Sequence, residues 1–431
     1  MKVHFIGIGG IGVSALAQYY LAKGYEVSGS DLVFSEITEL LEKKGIKIIK
    51  DVPEGVDLII HTPAAKPEPI PGVKIISYPE ALGELTKEYF TIAVSGTHGK
   101  STTTSMIGLT LIEAGFDPTV IVGTKLKEFG DSNFREGKSK YLVIEADEWN
   151  FSFLNYWPKI IVLTNIEEEH LDTYRDLNHI LNTFKEYISH LDKDGILIIN
   201  GDDKNISRIK NHALPTGRQE LRIKNFSLEQ KEAKELKKIL RVPGEHNVYN
   251  ALAALTLARS LNIPDEISFK ALSEYQGVWR RFDIREAELN NKKLTLIHDY
   301  AHHPTEVEAT LKAAKEKFPD KKIWCVFQPH QHQRTFYLFD NFVKVLSETE
   351  IAKLIIIDIY DVAGRERGEI KEKVDSKKLV DRINKLWVKY LAKEEINKYL
   401  EQNIEEGQIL IIMGAGNVYK LLDNVIKERP A

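Results

Sequence analysis

The chain has 431 residues, of which 43% are hydrophobic and 28% charged, and its formal net charge is −4. This length corresponds to about three domains, and the slightly acidic balance argues against a general nucleic-acid-binding protein. The one cysteine, Cys325, excludes an internal disulfide framework. No apolar run is long enough to span a bilayer, and Met1-Lys2-Val3-His4-Phe5 goes directly into a glycine turn, which leaves no room for a signal peptide. We therefore expect no membrane association and a cytoplasmic location.

A strand, a glycine turn and a helix open the chain. Residues 3–6 read as a strand, Gly7-Ile8-Gly9-Gly10-Ile11-Gly12 as the turn, and a helix follows to about Lys23. A second strand at 25–29 ends before Asp31, which completes a dinucleotide-binding fingerprint. Further strands at 46–49, 58–61 and 74–77 leave little room for a full dinucleotide domain. Three interpretations remain open on the residues alone: an NAD(P) site, a site for the diphosphate and ribose of a UDP-like ligand, or a purely structural turn.

The next segment carries the strongest motif of the chain. An apolar run at 91–94 enters Ser95-Gly96-Thr97-His98-Gly99-Lys100-Ser101-Thr102, and residues from Met106 read as the start of a helix. Glycines let backbone N–H groups surround an anion, the lysine reaches the outer phosphates, and the first hydroxyl can bind Mg²⁺. Val94 stands where the longer pattern has its first glycine, so this is the short form of a phosphate-binding loop. The alternative is an incidental glycine-rich turn.

Acidic residues follow two later strands of the same segment. The strand 141–144 ends at Glu145, and the strand 160–163 leads to Glu167 and His170. Ligands of parallel α/β sheets lie at the carboxyl ends of strands, so these side chains are candidate metal ligands, the alternative being a solvated acidic turn.

Residues 204–240 read as a connection and an edge hairpin. A helix is expected at 251–261. Asn250, just before it, could form hydrogen bonds with an adenine base; the alternative is that Asn247 caps the helix and Asn250 has no ligand role.

A new α/β unit begins near residues 277–283. Its tandem arginine, Arg280-Arg281, predicts either a phosphate contact or a surface ion pair. Strands at 294–297, 323–327, 355–359 and 409–413 each end in polar residues, and the second of them contains Cys325 as a buried position. His330 and His332 form a possible metal chelate, but the prolines and glutamines around them favour a loop that binds a polar ligand.

Motifs in all three segments resemble those of the Mur ligases, ATP-dependent amide-forming enzymes of peptidoglycan precursor synthesis. They are Gly7–Gly12 with Asp31, Gly96–Thr103, Glu145–Glu148, Thr164–Asp172, Gly244–Asn247 with Asn250, Arg280–Asp283, Asp299–Glu306, and Pro329-His330 with Arg334. The resemblance is nearest to members that join L-alanine to UDP-N-acetylmuramate. It implies an α/β fold of three domains: a Rossmann-like UDP-sugar-binding domain at 1–85, a central phosphate-loop ATPase domain at 86–279 and a Rossmann-like amino-acid-binding domain at 280–431.

The resemblance also assigns roles, residue by residue. It implies catalytic roles for Lys100, Arg281 and His302, and Mg²⁺ ligands at Ser101, Glu145 and His170. The implied ATP site comprises Gly96, Thr97, His98, Gly99, Lys100, Ser101, Thr102, Asn250, Arg281 and Asp299. The implied UDP-sugar site comprises Gly9, Gly10, Ile11, Gly12, Asp31, His61, His98 and Asn133. The implied amino-acid pocket comprises Tyr300, His302, His330 and Arg334.

Departures from the family pattern leave the acceptor open. Gln331 stands where relatives commonly have an arginine after Pro-His, which removes a cation from the amino-acid pocket. Lys185 is a candidate for the carbamylated lysine of some relatives, the alternative being a solvated helix lysine. The competing functions are a murein peptide ligase that adds a recycled tripeptide to UDP-N-acetylmuramate, an NAD(P)-dependent dehydrogenase and a non-catalytic nucleotide-binding protein. We expect a monomer or a homodimer.

Overall fold

The computed structural model describes residues 1–210, 221–362, 368–423 and 425–430. Within these ranges the strands are β1 (Lys2–Ile6), β2 (Glu26–Ser30), β3 (Lys47–Ile48), β4 (Leu58–His61), β5 (Lys74–Ser77), β6 (Phe90–Ser95), β7 (Thr119–Leu126), β8 (Ser132–Arg135), β9 (Tyr141–Glu145), β10 (Ile160–Leu163), β11 (Ile196–Asn200), β12 (Arg222–Phe226), β13 (Asp283–Leu289), β14 (Lys292–Asp299), β15 (Ile323–Phe327), β16 (Lys353–Ile356), β17 (Val388–Tyr390), β18 (Ile409–Met413) and β19 (Ile426–Pro430).

Helices connect many of the strands of the three sheets. They are α1 (Ile11–Ala22), α2 (Glu36–Lys43), α3 (Tyr78–Glu88), α4 (Lys100–Glu113), α5 (Leu177–Ile188), α6 (Lys204–Lys210), α7 (Glu232–Ile239), α8 (Glu245–Ser260), α9 (Asp265–Glu274), α10 (Pro304–Lys317), α11 (His332–Tyr337), α12 (Phe339–Glu348), α13 (Gly368–Lys371), α14 (Ser376–Ile383) and α15 (Ile396–Asn403). Short 3₁₀ helices occur at Lys127–Phe129, Trp149–Asn155, Lys393–Glu395 and Val418–Lys420.

The first sheet is wholly parallel and has the order β3-β2-β1-β4-β5. The strand order reverses between β1 and β4, which is the position where open α/β sheets bind ligands. Both the glycine turn after β1 and His61 at the end of β4 lie at this edge, because Ile6 is in register with His61.

The second sheet has the order β12-β11-β10-β6-β9-β7-β8, in which the β7–β8 pair is antiparallel. Its centre consists of short apolar runs, and all the residues of β10 are buried. This pattern is expected of parallel strands that are covered on both faces. The phosphate loop follows β6 and Glu145 ends the adjacent strand β9, with Val94 in register with Glu145.

The third sheet has the order β17-β16-β15-β18-β14-β13-β19, with antiparallel pairing of β14 to β13 and of β13 to β19. Successive side chains of a strand point to opposite faces, and β15 feeds two cores in this way. Cys325 and Phe327 belong to one core, whereas Trp324 and Val326 belong to the other. The expectation of a buried strand around Cys325 is confirmed.

The chain divides into two compact units. The first unit comprises residues 1–168, 176–240 and 248–276 and contains the first two sheets. The second unit comprises 169–175, 241–247 and 277–431 and contains the third sheet. Across the described residues, none of the helices is long and apolar enough to cross a membrane.

Three expectations about the elements were wrong. Helix α4 begins at Lys100 and α8 at Glu245, each about six residues before the predicted start. Hydroxyl-rich and polar residues in their first turns concealed the apolar periodicity on which the prediction relied. Residues 204–240 form no edge hairpin in their described part: α6 and α7 flank β12, which pairs parallel to β11.

Candidate functional site

The phosphate loop, residues 96–101, has the backbone that an anion site requires. Gly96 and Gly99 have φ of +129° and +79°, a region that side-chain-bearing residues rarely adopt. A Cβ on Gly96 would lie 2.2 Å from Thr164 Oγ1, so neither space nor backbone tolerates a side chain there. Gly99 is the N-cap of α4. The N–H groups in the first turn of α4 lack intrahelical partners. Together with the helix dipole, these groups favour a bound phosphate.

Lys100 lies at the start of α4 with its ammonium among three acceptors. Its Nζ donates to the Gly96 carbonyl at 2.7 Å, to the Thr97 carbonyl at 3.2 Å and to Glu148 Oε2 at 2.9 Å. Burial alone would lower the pKa of Lys100, but Glu148 and Asp147 outweigh it and raise that pKa. Burial also raises the pKa of Glu148 to about 7 against the attraction of Lys100. Glu148 is therefore a member of the site that the residue assignments missed.

The loop after β10, residues 164–167, is tied to the phosphate loop and is called the β10 loop below. Asn165 Oδ1 accepts from the His98 N–H at 2.8 Å, and Asn165 Nδ2 donates to the His98 carbonyl at 3.0 Å. The Thr97 N–H donates to the Asn165 carbonyl at 3.0 Å, and Thr164 Oγ1 donates to the His98 carbonyl at 2.7 Å. These four bonds fix the phosphate loop at Thr97 and His98.

Two of the three predicted metal ligands belong to the first unit. Ser101 stands in the first turn of α4, directly after Lys100, and Glu145 ends β9 beside the strand that leads into the loop. Glu145 Oε1 accepts the Gly123 N–H, which fixes the direction of the carboxylate. His170 belongs to the second unit and has φ of +53°. Its ligation of a metal together with Ser101 and Glu145 stays a prediction.

Asn250 lies inside α8 and contacts the start of α4. Its Oδ1 accepts from Thr103 Oγ1 at 3.1 Å and would be 2.5 Å from a Cβ on Gly99. Asn247 is not the cap of a helix that starts at 251, because it already lies in the first turn of α8, where its Nδ2 donates to the Pro243 carbonyl. The structure therefore places Asn250 beside the phosphate loop, while its adenine contact stays a prediction.

The glycine turn of the first sheet is held by the predicted acid. Asp31 accepts the Gly9 N–H at 2.8 Å through Oδ2 and the Val33 N–H at 3.1 Å through Oδ1. Gly10 is the N-cap of α1, so Ile11 and Gly12 form its first turn. A Cβ on Gly12 would lie 2.8 Å from the hydroxyl of Tyr78. The turn thus presents the start of a helix at the carboxyl ends of β1 and β4, where the strand order reverses.

Asn133 takes part in a polar network of four buried side chains and one exposed lysine. The members of this network are Ser14, Gln18, Lys44, Ser132 and Asn133. Gln18 Nε2 donates to Asn133 Oδ1 at 2.7 Å, and Gln18 Oε1 accepts from Lys44 Nζ at 2.6 Å and from Ser132 Oγ at 2.9 Å. Asn133 Nδ2 donates to Ser14 Oγ at 2.8 Å and also to the Ile11 carbonyl. Both polar atoms of Asn133 are thus bound to α1, and its predicted contact with the muramate group stays untested.

The structure brings the four residues of the predicted amino-acid pocket together in the second unit. The rings of Tyr300 and His302 have centroids 5.3 Å apart, and those of His302 and His330 are 5.7 Å apart. Arg334 Nη1 lies 3.1 Å from His330 Nδ1. The ring of Tyr360 stacks on His330 at 5.3 Å and an interplanar angle of 6°. This group offers aromatic faces and imidazoles for a small polar ligand.

Arg334 forms a buried ion pair that the sequence did not indicate. Its Nε donates to Glu169 Oε1 at 2.9 Å, and the two side chains are 5% and 7% exposed. Burial disfavours the charged carboxylate, but Arg334 and the neighbouring histidines hold the pKa of Glu169 well below its usual range. The only sequence signal was the position of Glu169 in the acidic run before His170.

The tandem arginine has two different environments. Arg280 Nη2 donates to the carbonyls of Gly414 and Gly416, and its guanidinium lies 4.3 Å from the ring centroid of Tyr419. Arg281 pairs instead with Glu306 at 3.2 Å. Asp299, predicted to contact nucleotide, accepts the N–H groups of Phe282 at 2.7 Å and Ala301 at 2.8 Å. The phosphate contact of Arg281 and the nucleotide contact of Asp299 stay predictions.

Gln331 is buried at the N-cap of α11 with φ of +71°. Its N–H donates to the Tyr360 carbonyl at 2.9 Å, and its own carbonyl accepts from Thr335 Oγ1 at 2.9 Å. The residue that departs from the family pattern is therefore built into the backbone of the loop that carries His330 and Arg334.

Family models match each of the three sheet regions. The Mur ligase family catalytic domain matches residues 2–90, the Mur ligase middle domain matches 94–258, and the glutamate ligase domain of Mur ligases matches 280–416. The order of the three matches follows the order of the three sheets.

Similar proteins match the chain from end to end. The UDP-N-acetylmuramate–L-alanine ligase of Clostridium botulinum is 38% identical over 97% of this chain and 96% of that protein. The crystal structure of the UDP-N-acetylmuramate–alanine ligase MurC of Thermotoga maritima is 26% identical, with a TM-score of 0.78 over 99% of this chain and 98% of that one. A murein peptide ligase of Psychrobacter arcticus, 22% identical with a TM-score of 0.71 over 99% of this chain and 98% of that one, shares the fold. From the family matches and the full-length similarity, the chain belongs to the Mur ligase family.

Proposed function

We propose that the chain is an ATP-dependent ligase that joins L-alanine to UDP-N-acetylmuramate in peptidoglycan precursor synthesis. The observation that carries the proposal is the similarity to an L-alanine-adding ligase over 97% of the chain. The proposed domains are 1–85 for the UDP-sugar, 86–279 for ATP and 280–431 for the amino acid. A cytoplasmic location and a monomeric or homodimeric state are part of the same proposal.

The proposed chemistry has two steps. A carboxylate oxygen of UDP-N-acetylmuramate attacks the γ-phosphorus of ATP, and the bond from that phosphorus to the β-phosphate oxygen breaks. The products of this step are an acyl phosphate and ADP. The amine of L-alanine, after losing a proton, attacks the acyl carbon, and the bond to the phosphate oxygen breaks to release phosphate. Phosphoryl transfer depends mainly on positioning and on stabilising charge. Lys100, at the start of α4 and within the phosphate loop, is proposed to neutralise charge on the phosphates.

Magnesium is the proposed cofactor. It prefers oxygen ligands, and the first unit offers the hydroxyl of Ser101 after the phosphate loop and the carboxylate of Glu145 at the end of the adjacent strand. These residues therefore fit the ion, and His170 is the proposed third ligand. When bound, the ion would supply positive charge to the phosphate oxygens. The protein itself directs Glu145 through the Gly123 N–H and presents Ser101 through the start of α4.

The amino acid is proposed to bind among Tyr300, His302, His330 and Arg334. Glu169 holds the guanidinium of Arg334 in a fixed position beside His330, and Arg334 is the proposed contact of the amino-acid carboxylate. The tripeptide L-Ala-γ-D-Glu-meso-diaminopimelate is the alternative acceptor, since Gln331 leaves one fewer cation in this loop. The similarity to a full-length L-alanine-adding ligase favours L-alanine over the tripeptide as the acceptor.

Phosphate release from ATP and Mg²⁺ with UDP-N-acetylmuramate tests the proposal. L-Alanine, glycine, L-serine and the tripeptide are compared as acceptors. Release that requires both the UDP-sugar and L-alanine is expected. Release only with the tripeptide would transfer the assignment to a peptide-recycling ligase, and release with none of them would contradict a ligase.

Lys100→Ala provides the variant for this assay. We expect it to abolish release, because charge on the transferred phosphoryl group would lose its fixed cation. Lys270→Ala is the matched control, since Lys270 is an exposed lysine of the same unit that pairs with Glu113. Normal turnover of Lys100→Ala would contradict the proposed role of the phosphate loop.

A further inference from the structure

The β10 loop, which fixes the phosphate loop, is itself bound by the segment that follows β11. The Ile166 N–H donates to Asp203 Oδ2 at 3.2 Å, and Asn205 Nδ2 donates to the Ile166 carbonyl at 2.8 Å. The Ile166 side chain is fully buried. Both backbone groups of this residue are thus bound by side chains of one short segment, which follows β11.

Asp203 is oriented by the helix that it begins. Its Oδ1 accepts the N–H groups of Asn205 at 2.8 Å and Ile206 at 2.7 Å, as an N-cap residue does. Its other oxygen is thereby left to face Ile166. One carboxylate therefore caps α6 and anchors the β10 loop at the same time.

We propose that Asp203 and Asn205 are positioning residues for ATP binding. They hold Ile166, whose neighbour Asn165 bonds Thr97 and His98 of the phosphate loop. Neither residue belongs to the loop that would contact the phosphates, so they act through the β10 loop. A buried backbone group that loses its partner destabilises the local conformation. This inference rests on the proposed ATP site.

The adjacent carboxylate has a separate set of contacts. Asp202 accepts from Ser227 Oγ at 2.7 Å, from the Leu228 N–H at 2.9 Å and from the Tyr249 hydroxyl at 3.0 Å. None of these groups lies in the phosphate loop or the β10 loop. Asp203 thus contacts the β10 loop, whereas these contacts of the adjacent Asp202 are local and structural. Asp202→Asn is therefore a matched control for Asp203→Asn.

The test compares Asp203→Asn, Asn205→Ala and Asp202→Asn in the full chain. Asp203→Asn keeps an oxygen to cap α6 but turns an amide donor toward the Ile166 N–H. The dissociation constant of ATP at a fixed Mg²⁺ concentration is measured by calorimetry, and KM is measured for ATP, the UDP-sugar and the amino acid. We expect roughly a three- to tenfold rise in Kd and KM for ATP in the first two variants, as the loss of one hydrogen bond implies. The KM of the UDP-sugar should not change.

Two outcomes would overturn the proposal. In one, Asp203→Asn and Asn205→Ala bind ATP as tightly as Asp202→Asn. In the other, all three KM values rise together with a lower melting temperature, which is the signature of a general structural defect. Because ATP binding is measured without turnover, the result is independent of the acceptor. A selective loss of ATP affinity supports the inference even if no acceptor releases phosphate.

Discussion

The buried pair of Glu169 and Arg334 predicts a large effect of a small change. Glu169→Gln keeps the shape of the side chain and one acceptor but removes the charge opposite a guanidinium that is 5% exposed. Removing one partner of a buried pair costs about 3–5 kcal/mol. Since a neutral acceptor retains roughly half of the interaction, we expect about 2 kcal/mol for Gln and about 3–5 kcal/mol for Glu169→Ala.

Hydrogen exchange on the full chain measures this change locally, which matters because a chain of several domains need not unfold in one step. The expected result is faster exchange in peptides covering α11, which contains Arg334, and α12, which follows it. Glu168→Gln is the matched control, because Glu168 is the exposed neighbour in the same acidic run. The KM of L-alanine should rise as Arg334 loses its fixed position.

A double variant decides whether the pair itself is responsible. Glu169→Leu with Arg334→Met removes both charges, so it should destabilise less than the sum of the single changes by at least about 1 kcal/mol. Unchanged exchange in Glu169→Gln, or strictly additive single effects, would refute the reasoning.

The pH dependence provides a second check on this pair. The pKa of Glu169 is depressed in the folded chain, so its contribution to stability is present above its ordinary value of about 4.5 and is lost as the pH falls through the folded value. The Gln variant should lack this acid-dependent loss of protection. Equal acid sensitivity of the two proteins would argue against an ionised Glu169.

Three further predictions concern other parts of the chain. Gly99→Ala should weaken ATP binding at least about tenfold in calorimetry, because its Cβ would lie 2.5 Å from Asn250 Oδ1 at a φ of +79°. Asn133→Leu should lower the urea stability of the first unit by about 2 kcal/mol, because it leaves the Ile11 carbonyl without this donor. Burial lowers the pKa of His246 to about 4, so folding stability should fall by up to about 3 kcal/mol between pH 6.5 and 4. His246→Gln should lose less over that interval, as measured by unfolding at the two pH values.

Local patterns predicted much of the fold because they are set by neighbouring residues. The strands at Leu58–His61 and Lys74–Ser77 were predicted at their observed bounds, since each is a short apolar run next to polar residues. The phosphate loop was evident for the same reason, because glycines and a lysine at fixed spacing carry its geometry. The start of α8 was missed, since Gly244 to Asn247 carry no apolar periodicity.

Contacts between distant residues explain what the sequence did not predict. Glu169 and Arg334 are 165 positions apart, and Asn133 and Gln18 are 115 apart, so no local pattern pairs them. The family resemblance implied that Asn133 contacts the UDP-sugar. Only the folded chain shows that its amide is bound to α1.

The network around Gln18 and Asn133 limits how this protein can be recombined with its relatives. It ties the helix after the first glycine turn to β8, a strand of the second sheet, so the boundary near residue 85 is not a free point of exchange. In a chimera that replaces residues 1–85 alone, the buried amides and hydroxyls of the new segment would lack their matching hydrogen-bond partners at residues 132–133. Exchanges should therefore carry residues 11–44 and 132–133 together, and relatives should inherit these two segments as one unit.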